Sequence, residues 1–157
     1  MWFVCSLLYD LPIKSVFAVY TFHLDKNDRN FWNGFGKADS NQLIHCFGHR
    51  IRLSDNDIQF AWELWRSYKN KNFRELARLS KNQSASFPNI AEVIQAHIDR
   101  FPENGEKGRP EKVVSDITKN ISTDFNKVFA EFWKRESIYG FGDVQLKKIY
   151  DRVMLDK

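Results

Sequence analysis

Cysteine is scarce in this chain, and no apolar run is long. The 157 residues include only two cysteines, Cys5 and Cys46, which form no Cys-x-x-Cys pair. Both stand among apolar residues, so we predict two reduced, buried thiols in an intracellular, cytoplasmic protein. The apolar start at residues 2–8 lacks the basic lead of a signal peptide. Charged residues and Pro12 interrupt it well before the ~20 apolar residues that a membrane helix needs, so we predict a soluble protein with no membrane partner.

The sequence also lacks the usual signatures of catalysis and cofactor binding. It contains no Gly-x-Ser-x-Gly nucleophile elbow, and its serine, histidine and aspartate residues show no spacing that selects a triad. No carboxylate pair stands out among its 20 acidic residues. The sequence therefore favours a protein that is not an enzyme, with no catalytic residues, no cofactor and no bound metal.

The nearest approach to a metal motif is a pair of histidines, His45 and His49. They are four residues apart, so they share one face of a helix. A third ligand would have to come from a distant residue, such as His23, His97 or a carboxylate. Zinc sites normally have two paired ligand sets, and only one is present, so ordinary histidines are the favoured interpretation.

Two Gly-Phe-Gly loops divide the chain, one at residues 34–36 and one at residues 140–142, each ahead of a predicted helix. Each pairs flexible glycines with a large apolar ring, which is typical of a tight reversal whose ring is pinned to a core. A phosphate cradle at the helix start is the alternative. The loops lack the longer glycine spacing and the Lys-Ser/Thr of a phosphate loop, so we favour structural turns.

Aromatic residues make up 15% of the chain, which excludes a disordered protein. From residue 40 onward, apolar residues recur at helical spacing. Ser54 is predicted to begin the clearest helix, because Asp57 three residues later completes a capping box. Asn72 is predicted to begin the next helix and Pro102 to end a later one. The predicted apolar stripe of the clearest helix comprises Ile58, Ala61, Trp62, Trp65 and Tyr68.

One segment, residues 15–22, is predicted to be a strand because β-branched and aromatic residues dominate it. The sequence shows no second strand of similar quality, and a lone strand leaves its backbone polar groups unpaired. Two explanations remain open. Either the strand pairs with a second copy of the chain in a homodimer through residues 15–22, or the sheet to which it belongs has been cut away.

The last third of the chain, residues 109–157, contains three helical stretches. The second is predicted to be capped by Ser122 or Thr123 and the third by Asp143. This is the length and order of a helix-turn-helix unit. We therefore predict a mainly α fold: a multi-helix array with a C-terminal tri-helical, helix-turn-helix-like unit and a short αβ remnant of one helix and one strand at the N-terminus. The predicted domains are residues 1–53 (αβ remnant, first loop and a short helix), 54–102 (helical core) and 109–157 (tri-helical unit).

The formal net charge of +4 permits an acidic partner. On the last helix, four polar side chains lie away from the apolar stripe and suit contacts with phosphates or base edges. They are Gln145, Lys147, Lys148 and Arg152. Residues 109–157 carry ten basic and eight acidic residues, so a unit that serves packing alone is favoured over a DNA reader. The leading hypothesis is a non-enzymatic interaction or regulatory module that binds an acidic protein or a nucleic acid through this helix.

The alternative hypothesis is a small enzyme or nucleotide-binding domain with a site between the αβ remnant and the helices. Five residues are predicted to converge there: Gly34, Gly36, His45, Arg50 and Arg74.

A string of residues over positions 34–155 carries a resemblance to a known family. In order, these are Gly34-Phe35-Gly36, Gln42-Leu43, Phe47, Arg50, Leu53-Ser54, Asp57, Ala61, Trp65, Asn72, Arg74, Phe101-Pro102, Phe129, Gly140 and Gly142-Asp143. The chain resembles the C-terminal two-thirds of a bacterial family catalogued as a domain of unknown function, in which an αβ domain precedes a helical domain. The resemblance implies that residues 1–24 are the tail of a larger αβ unit, and it implies no catalysis. The chain departs from the family where Gly108-Arg109 replaces the usual Gly-Leu.

Overall fold

The computed structural model describes residues 2–9, 11, 15–21, 31–82, 84–102 and 105–156. Within these ranges the chain is mainly helical, which confirms the predicted fold class. The eight helices are α1 (Trp2–Leu8), α2 (Ser40–Gly48), α3 (Asp55–Lys69), α4 (Phe73–Leu79), α5 (Ile90–Ile98), α6 (Arg109–Asn120), α7 (Phe125–Glu136) and α8 (Asp143–Leu155). None of them is long and apolar enough to span a lipid bilayer.

A two-stranded antiparallel sheet accompanies the helices. Strand β1 (Val16–Ala18) pairs with strand β2 (Ile51–Leu53), so that Val16 lies opposite Leu53. The expectation that β1 has no partner within the chain is therefore wrong. A three-residue strand contains too few residues to show alternation, so the sequence pattern did not indicate β2. Pairing with a second copy through residues 15–22 stays a prediction, although the lack of a partner that suggested it no longer applies.

The chain divides into two compact units. Among the described residues, the first unit holds those up to 21 together with 37–95, and the second holds 31–36 together with 96–156. The first unit is built around α3, whose Ala61 and Leu64 are fully buried. Helix α1 packs on α3, and the ring centroids of Phe3 and Trp65 are 5.1 Å apart. Both cysteines are buried and free, as the sequence predicts.

The start of α3 has the capping box that the sequence predicts. The backbone N–H of Asp57 donates to Ser54 Oγ at 3.2 Å, and the backbone N–H of Ser54 donates to Asp57 Oδ2 at 2.9 Å. The Ser84 hydroxyl, from outside the helix, donates to Asp57 Oδ1 at 3.4 Å. Partial burial by itself raises the pKa of Asp57. The hydrogen bonds from Ser54, Ser86 and Ser84 outweigh this effect and lower the pKa overall. Asn72 caps α4, since its Oδ1 accepts from the backbone N–H of Glu75 at 3.0 Å.

Replacing Asp57 with alanine is expected to cost about 1 kcal/mol of unfolding free energy at pH 7, because the cap of α3 is lost. The pKa of Asp57 is lower in the folded chain than in the unfolded chain, so its contribution is complete above a pH of about 4. The contribution is lost as the pH falls through the folded pKa. Urea titrations at several pH values should therefore show that the difference in unfolding free energy between the wild type and Asp57→Ala narrows below about pH 4.

Asp55→Ala is the matched control, because Asp55 stands in the same first turn but does not hydrogen-bond to Ser54 within the described residues. An equal loss of unfolding free energy, relative to the wild type, in Asp55→Ala and Asp57→Ala would contradict a specific role for Asp57.

The second unit is built from α6, α7 and α8, which pack around one apolar core. Its buried members are Val114, Ile117, Val128, Phe132, Phe141, Leu146, Ile149 and Val153. Two of the predicted caps are wrong. Asp124 caps α7, since its side chain accepts from the backbone N–H of Lys127, and Gly142 precedes α8, whose first residue is Asp143. In each case the residue next to the predicted cap has the extended backbone that capping requires.

The two Gly-Phe-Gly loops differ. In the second, Phe141 is buried and stacks on Phe132, and Gly140 has a positive φ of 58°, so the predicted turn pinned to a core is confirmed there. In the first, Phe35 is 40% exposed. The prediction that this ring is pinned to a core is therefore wrong, because Phe35, at the start of a short 3-10 helix, leaves much of its ring in solvent.

Candidate functional site

The four residues that the sequence selects on α8 are all exposed. Gln145 belongs to the start of the helix, where its Oε1 accepts from the backbone N–H of Gly142 at 3.0 Å. Lys147 forms an ion pair with Asp151, and Arg152 forms one with Glu111 at 3.0 Å. Exposed pairs of this kind contribute little to stability, but each cation then faces its own counterion.

Lys148 is the remaining cation of α8, and it has no ion pair with any described residue. Helix α8 and its immediate surroundings therefore present little uncompensated positive charge. The α8 surface has the side chains that the sequence predicts, but most of them are already engaged.

Residues of the alternative pocket fall in both units. Gly34 and Gly36 belong to the second unit, whereas His45, Arg50 and Arg74 belong to the first. His23 lies outside the described residues.

His45 lies on α2 and His49 is the residue that follows the helix, and their rings lie on the same side, as predicted, with centroids 4.1 Å apart. Nδ1 of His49 lies 2.8 Å from the carbonyl oxygen of His45. One ring nitrogen of His49 is therefore engaged in a hydrogen bond with the backbone. The part of the chain that the structure describes contains no group of three side chains able to hold a metal ion.

Arg50 follows α2 and anchors its end. Its Nη1 donates to the carbonyl oxygen of Phe47 at 3.0 Å. The guanidinium carbon lies 4.5 Å from the ring centroid of Phe47 and 5.2 Å from that of Phe17. These contacts stabilise the local structure, and they place the guanidinium over the rings of both Phe47 and Phe17.

Arg74 lies on α4, where it lines an open depression. The other residues that line it are Asn72, Glu75, Ala77, Arg78 and Lys81. Arg74 and Arg78 are four residues apart, so they share one exposed side of α4, and Lys81 follows two residues after the helix ends. The opposite side of α4 carries Leu76 and Leu79, which are fully buried.

The depression belongs to a larger positive region that the sequence reasoning missed. Six cations lie within residues 66–81 against a single carboxylate, Glu75, which gives the segment a net charge of +5. All six are exposed, and we call them the basic surface: Arg66, Lys69, Lys71, Arg74, Arg78 and Lys81. The whole chain has a net charge of +4, so the remainder is slightly acidic. A count of charges in a short window along the sequence would have found this segment.

Two carboxylates moderate the basic surface. Arg78 donates two hydrogen bonds to Glu75, from Nε to Oε2 at 2.9 Å and from Nη2 to Oε1 at 2.7 Å. These bonds lower the pKa of Glu75 and raise the pKa of Arg78, and Arg66 contributes to the lowering at Glu75. Glu63 also acts on Arg78 through its charge. Arg66 stacks over the ring of Trp62, with its guanidinium carbon 4.7 Å from the ring centroid.

No model of a known protein family matches the chain, and comparisons with curated proteins and with solved structures find no match either. The resemblance to the family of unknown function stays a prediction.

Proposed function

We propose that the chain is a non-enzymatic binding module, located in the cytoplasm, for an acidic macromolecule. The observation that carries the proposal is the basic surface. Its segment, residues 66–81, has a net charge of +5, which is higher than the +4 of the entire chain. A compact patch of like charge raises the local concentration of an acidic partner and speeds its association. The depression beside α4 is open and is lined mostly by charged side chains, whereas small-molecule sites are enclosed and mostly apolar, so this side of α4 suits an extended acidic partner better than a small substrate.

The α8 surface is the second candidate for this contact. Lys148 supports it, since its charge has no counterion among the described residues. Lys147 and Arg152 must first exchange Asp151 and Glu111 for the partner, so each gains less from the contact. We therefore place the main contact on the basic surface.

Retention on heparin is expected to depend on the basic surface. The double variant Arg74→Gln/Lys81→Gln removes two exposed positive charges from it, and we expect elution at lower salt and at least about tenfold weaker binding at 0.1 M salt. The measurement is a salt gradient on a heparin column, with circular dichroism to confirm that each variant is folded.

Lys147→Gln/Lys148→Gln is the matched control because it removes the same number of charges from α8. We expect its elution to stay close to that of the wild type, since Lys147 is already paired with Asp151. An equal shift for both variants, or a larger shift for the α8 variant, would refute the assignment to the basic surface. Passage of the wild type through the column at low salt would refute the proposed function itself.

A further inference from the structure

We infer that the chain also binds the surface of an anionic lipid bilayer, with the exposed side of α1 among the outer acyl chains and the basic surface against the headgroups. The inference goes beyond the proposed function, because it adds a lipid surface to the acidic partners. It rests on the proposed function in one respect, since both use the basic surface. It starts from α1, an apolar helix that is covered on one side only.

Helix α1 carries apolar residues on its exposed side as well as on its covered side. None of its seven residues is charged, and Cys5, on the covered side, is 3% exposed. Val4 and Leu7 are three residues apart, so they share one side of the helix, and they are 55% and 56% exposed. Leu11, just beyond the helix, is 54% exposed, and we call these three exposed residues the α1 stripe. Helices that are apolar on every side normally lie in a protein core or a membrane, so the α1 stripe suits an apolar medium.

A series of contacts connects α1 to the basic surface. Tyr9, which follows α1, stacks on Trp62 of α3 with ring centroids 5.1 Å apart, and Arg66 of the basic surface lies over the same ring. The charge of Arg66 acts in turn on Glu75, which accepts both hydrogen bonds from Arg78. The apolar helix and these cations therefore belong to one continuous part of the first unit.

Two cations border the contact between α1 and α3. Arg66 stands four residues after Trp62, so both lie on one side of α3. Lys69 stands four residues after Trp65 in the same way, and the ring of Trp65 is 5.1 Å from that of Phe3 on α1. Both cations are exposed, so a surface that meets α1 from the solvent side also meets positive charge.

This combination favours an anionic bilayer over other occupants. Apolar side chains insert at the boundary between headgroups and acyl chains, while cations are attracted to anionic headgroups, and two such signals together retain a protein that one signal holds weakly. A nucleic acid would neutralise the cations but leave the α1 stripe in water. A second copy of the chain would cover the stripe but would bring two segments of net charge +5 close together.

Binding at the surface requires no membrane-spanning helix. The sequence-based prediction of no membrane partner rested on the length that a spanning helix needs, and none of the eight helices reaches it. A helix that lies in the plane of the interface needs only an exposed apolar side. The inference therefore concerns the bilayer surface alone.

Sedimentation with lipid vesicles tests the inference. The probes are phosphatidylcholine vesicles with about 30% phosphatidylserine and vesicles of phosphatidylcholine alone, and we expect the wild type to bind the anionic vesicles at least about tenfold more tightly at about 0.1 M salt. Val4→Gln/Leu7→Gln should weaken binding to the anionic vesicles about tenfold and leave elution from heparin unchanged, because the charge is retained. Arg74→Gln/Lys81→Gln should weaken both by about tenfold or more.

Val144→Gln/Leu155→Gln is the matched control for the α1 stripe. It removes two apolar side chains from α8 that are more exposed than Val4 and Leu7. We expect this control to bind the anionic vesicles like the wild type, and circular dichroism confirms that each variant is folded.

Three results would overturn the inference: equal binding of neutral and anionic vesicles, no effect of Val4→Gln/Leu7→Gln, or equal weakening by the α8 control. A wild-type dimer in size-exclusion chromatography that Val4→Gln/Leu7→Gln converts to a monomer, without vesicle binding, would also overturn it and would point to a second copy. If heparin retention depends on the basic surface while the anionic vesicles are not bound, the inference fails and the proposed function stands. If neither heparin nor the vesicles retain the protein, both fail.

Discussion

Substitution of Gly108 by serine is expected to lower the free energy of unfolding by about 3 kcal/mol. Gly108 precedes α6, and a Cβ atom there would lie 2.6 Å from the carbonyl oxygen of Arg100. The obstacle is backbone, which cannot rotate away as a side chain does. The next residue, Arg109, also donates its backbone N–H to the carbonyl oxygen of Asp99 at 2.8 Å. A side chain at Gly108 therefore has to push two bonded segments apart.

Gly142→Ser provides the matched comparison. Gly142 precedes α8 as Gly108 precedes α6, and the backbone angles of the two residues are similar. A Cβ atom at Gly142 meets no atom within 4 Å. Serine is a better N-cap than glycine by a few tenths of a kcal/mol, so this variant should be unchanged or slightly more stable in a urea titration. Equal losses for both variants would mean that the approach to Arg100 has no energetic consequence.

Replacing Arg109 with alanine is expected to cost about 3 kcal/mol, because it leaves Glu136 buried without its counterion. The Glu136 side chain is only 7% exposed. Arg109 donates from Nε to Glu136 Oε1 at 3.2 Å and places Nη2 3.0 Å from Oε2. It also reaches Asp99 at 3.4 Å and lies over the ring of Tyr139. The guanidinium itself is partly exposed, which places the expected loss at the lower end of the range for buried pairs.

Arg135→Ala separates this effect from the loss of any arginine. Arg135 also pairs with two carboxylates, Asp116 at 2.8 Å and Glu131 at 3.0 Å, but neither of these is buried. Its removal is expected to cost less than about 1 kcal/mol in the same titration. Arg109→Ala/Glu136→Leu should recover part of the loss, because the unpaired buried charge is removed as well. A double variant that is no more stable than Arg109→Ala would show that packing of the Arg109 stem, and not the charge, causes the loss.

Local signals predicted the helices well. The capping box of Ser54 and Asp57 and the Asn72 cap need only residues three positions apart, and the structure contains both. The stripe that follows Ser54 is confirmed at Ala61, which is fully buried, whereas Tyr68 at its end is exposed. Its ring still rests on Trp65, so the spacing predicted the helix face correctly but not the depth of burial.

The candidate site was less accessible to sequence reasoning. The types and positions of the cations on α8 are local facts, but their ion pairs depend partly on α6, which supplies Glu111 to Arg152. The basic surface was visible as a charge count, yet the exposure of Arg74 and Arg78 depends on which side of α4 carries Leu76 and Leu79 inward. A search for catalytic and glycine motifs does not register a segment whose only distinction is its net charge.

The amino-acid sequence alone determined that this protein is mainly helical and where most of its helices begin, since caps and apolar periodicity act within a few residues. Only the tertiary structure decided the pairing of β1 with β2, the exposure of Phe35 and the close approach of Gly108 to Arg100. These features join residues that are distant in sequence or depend on what covers a side chain. No local pattern encodes them, because their energy comes from contacts that exist only after the chain has folded.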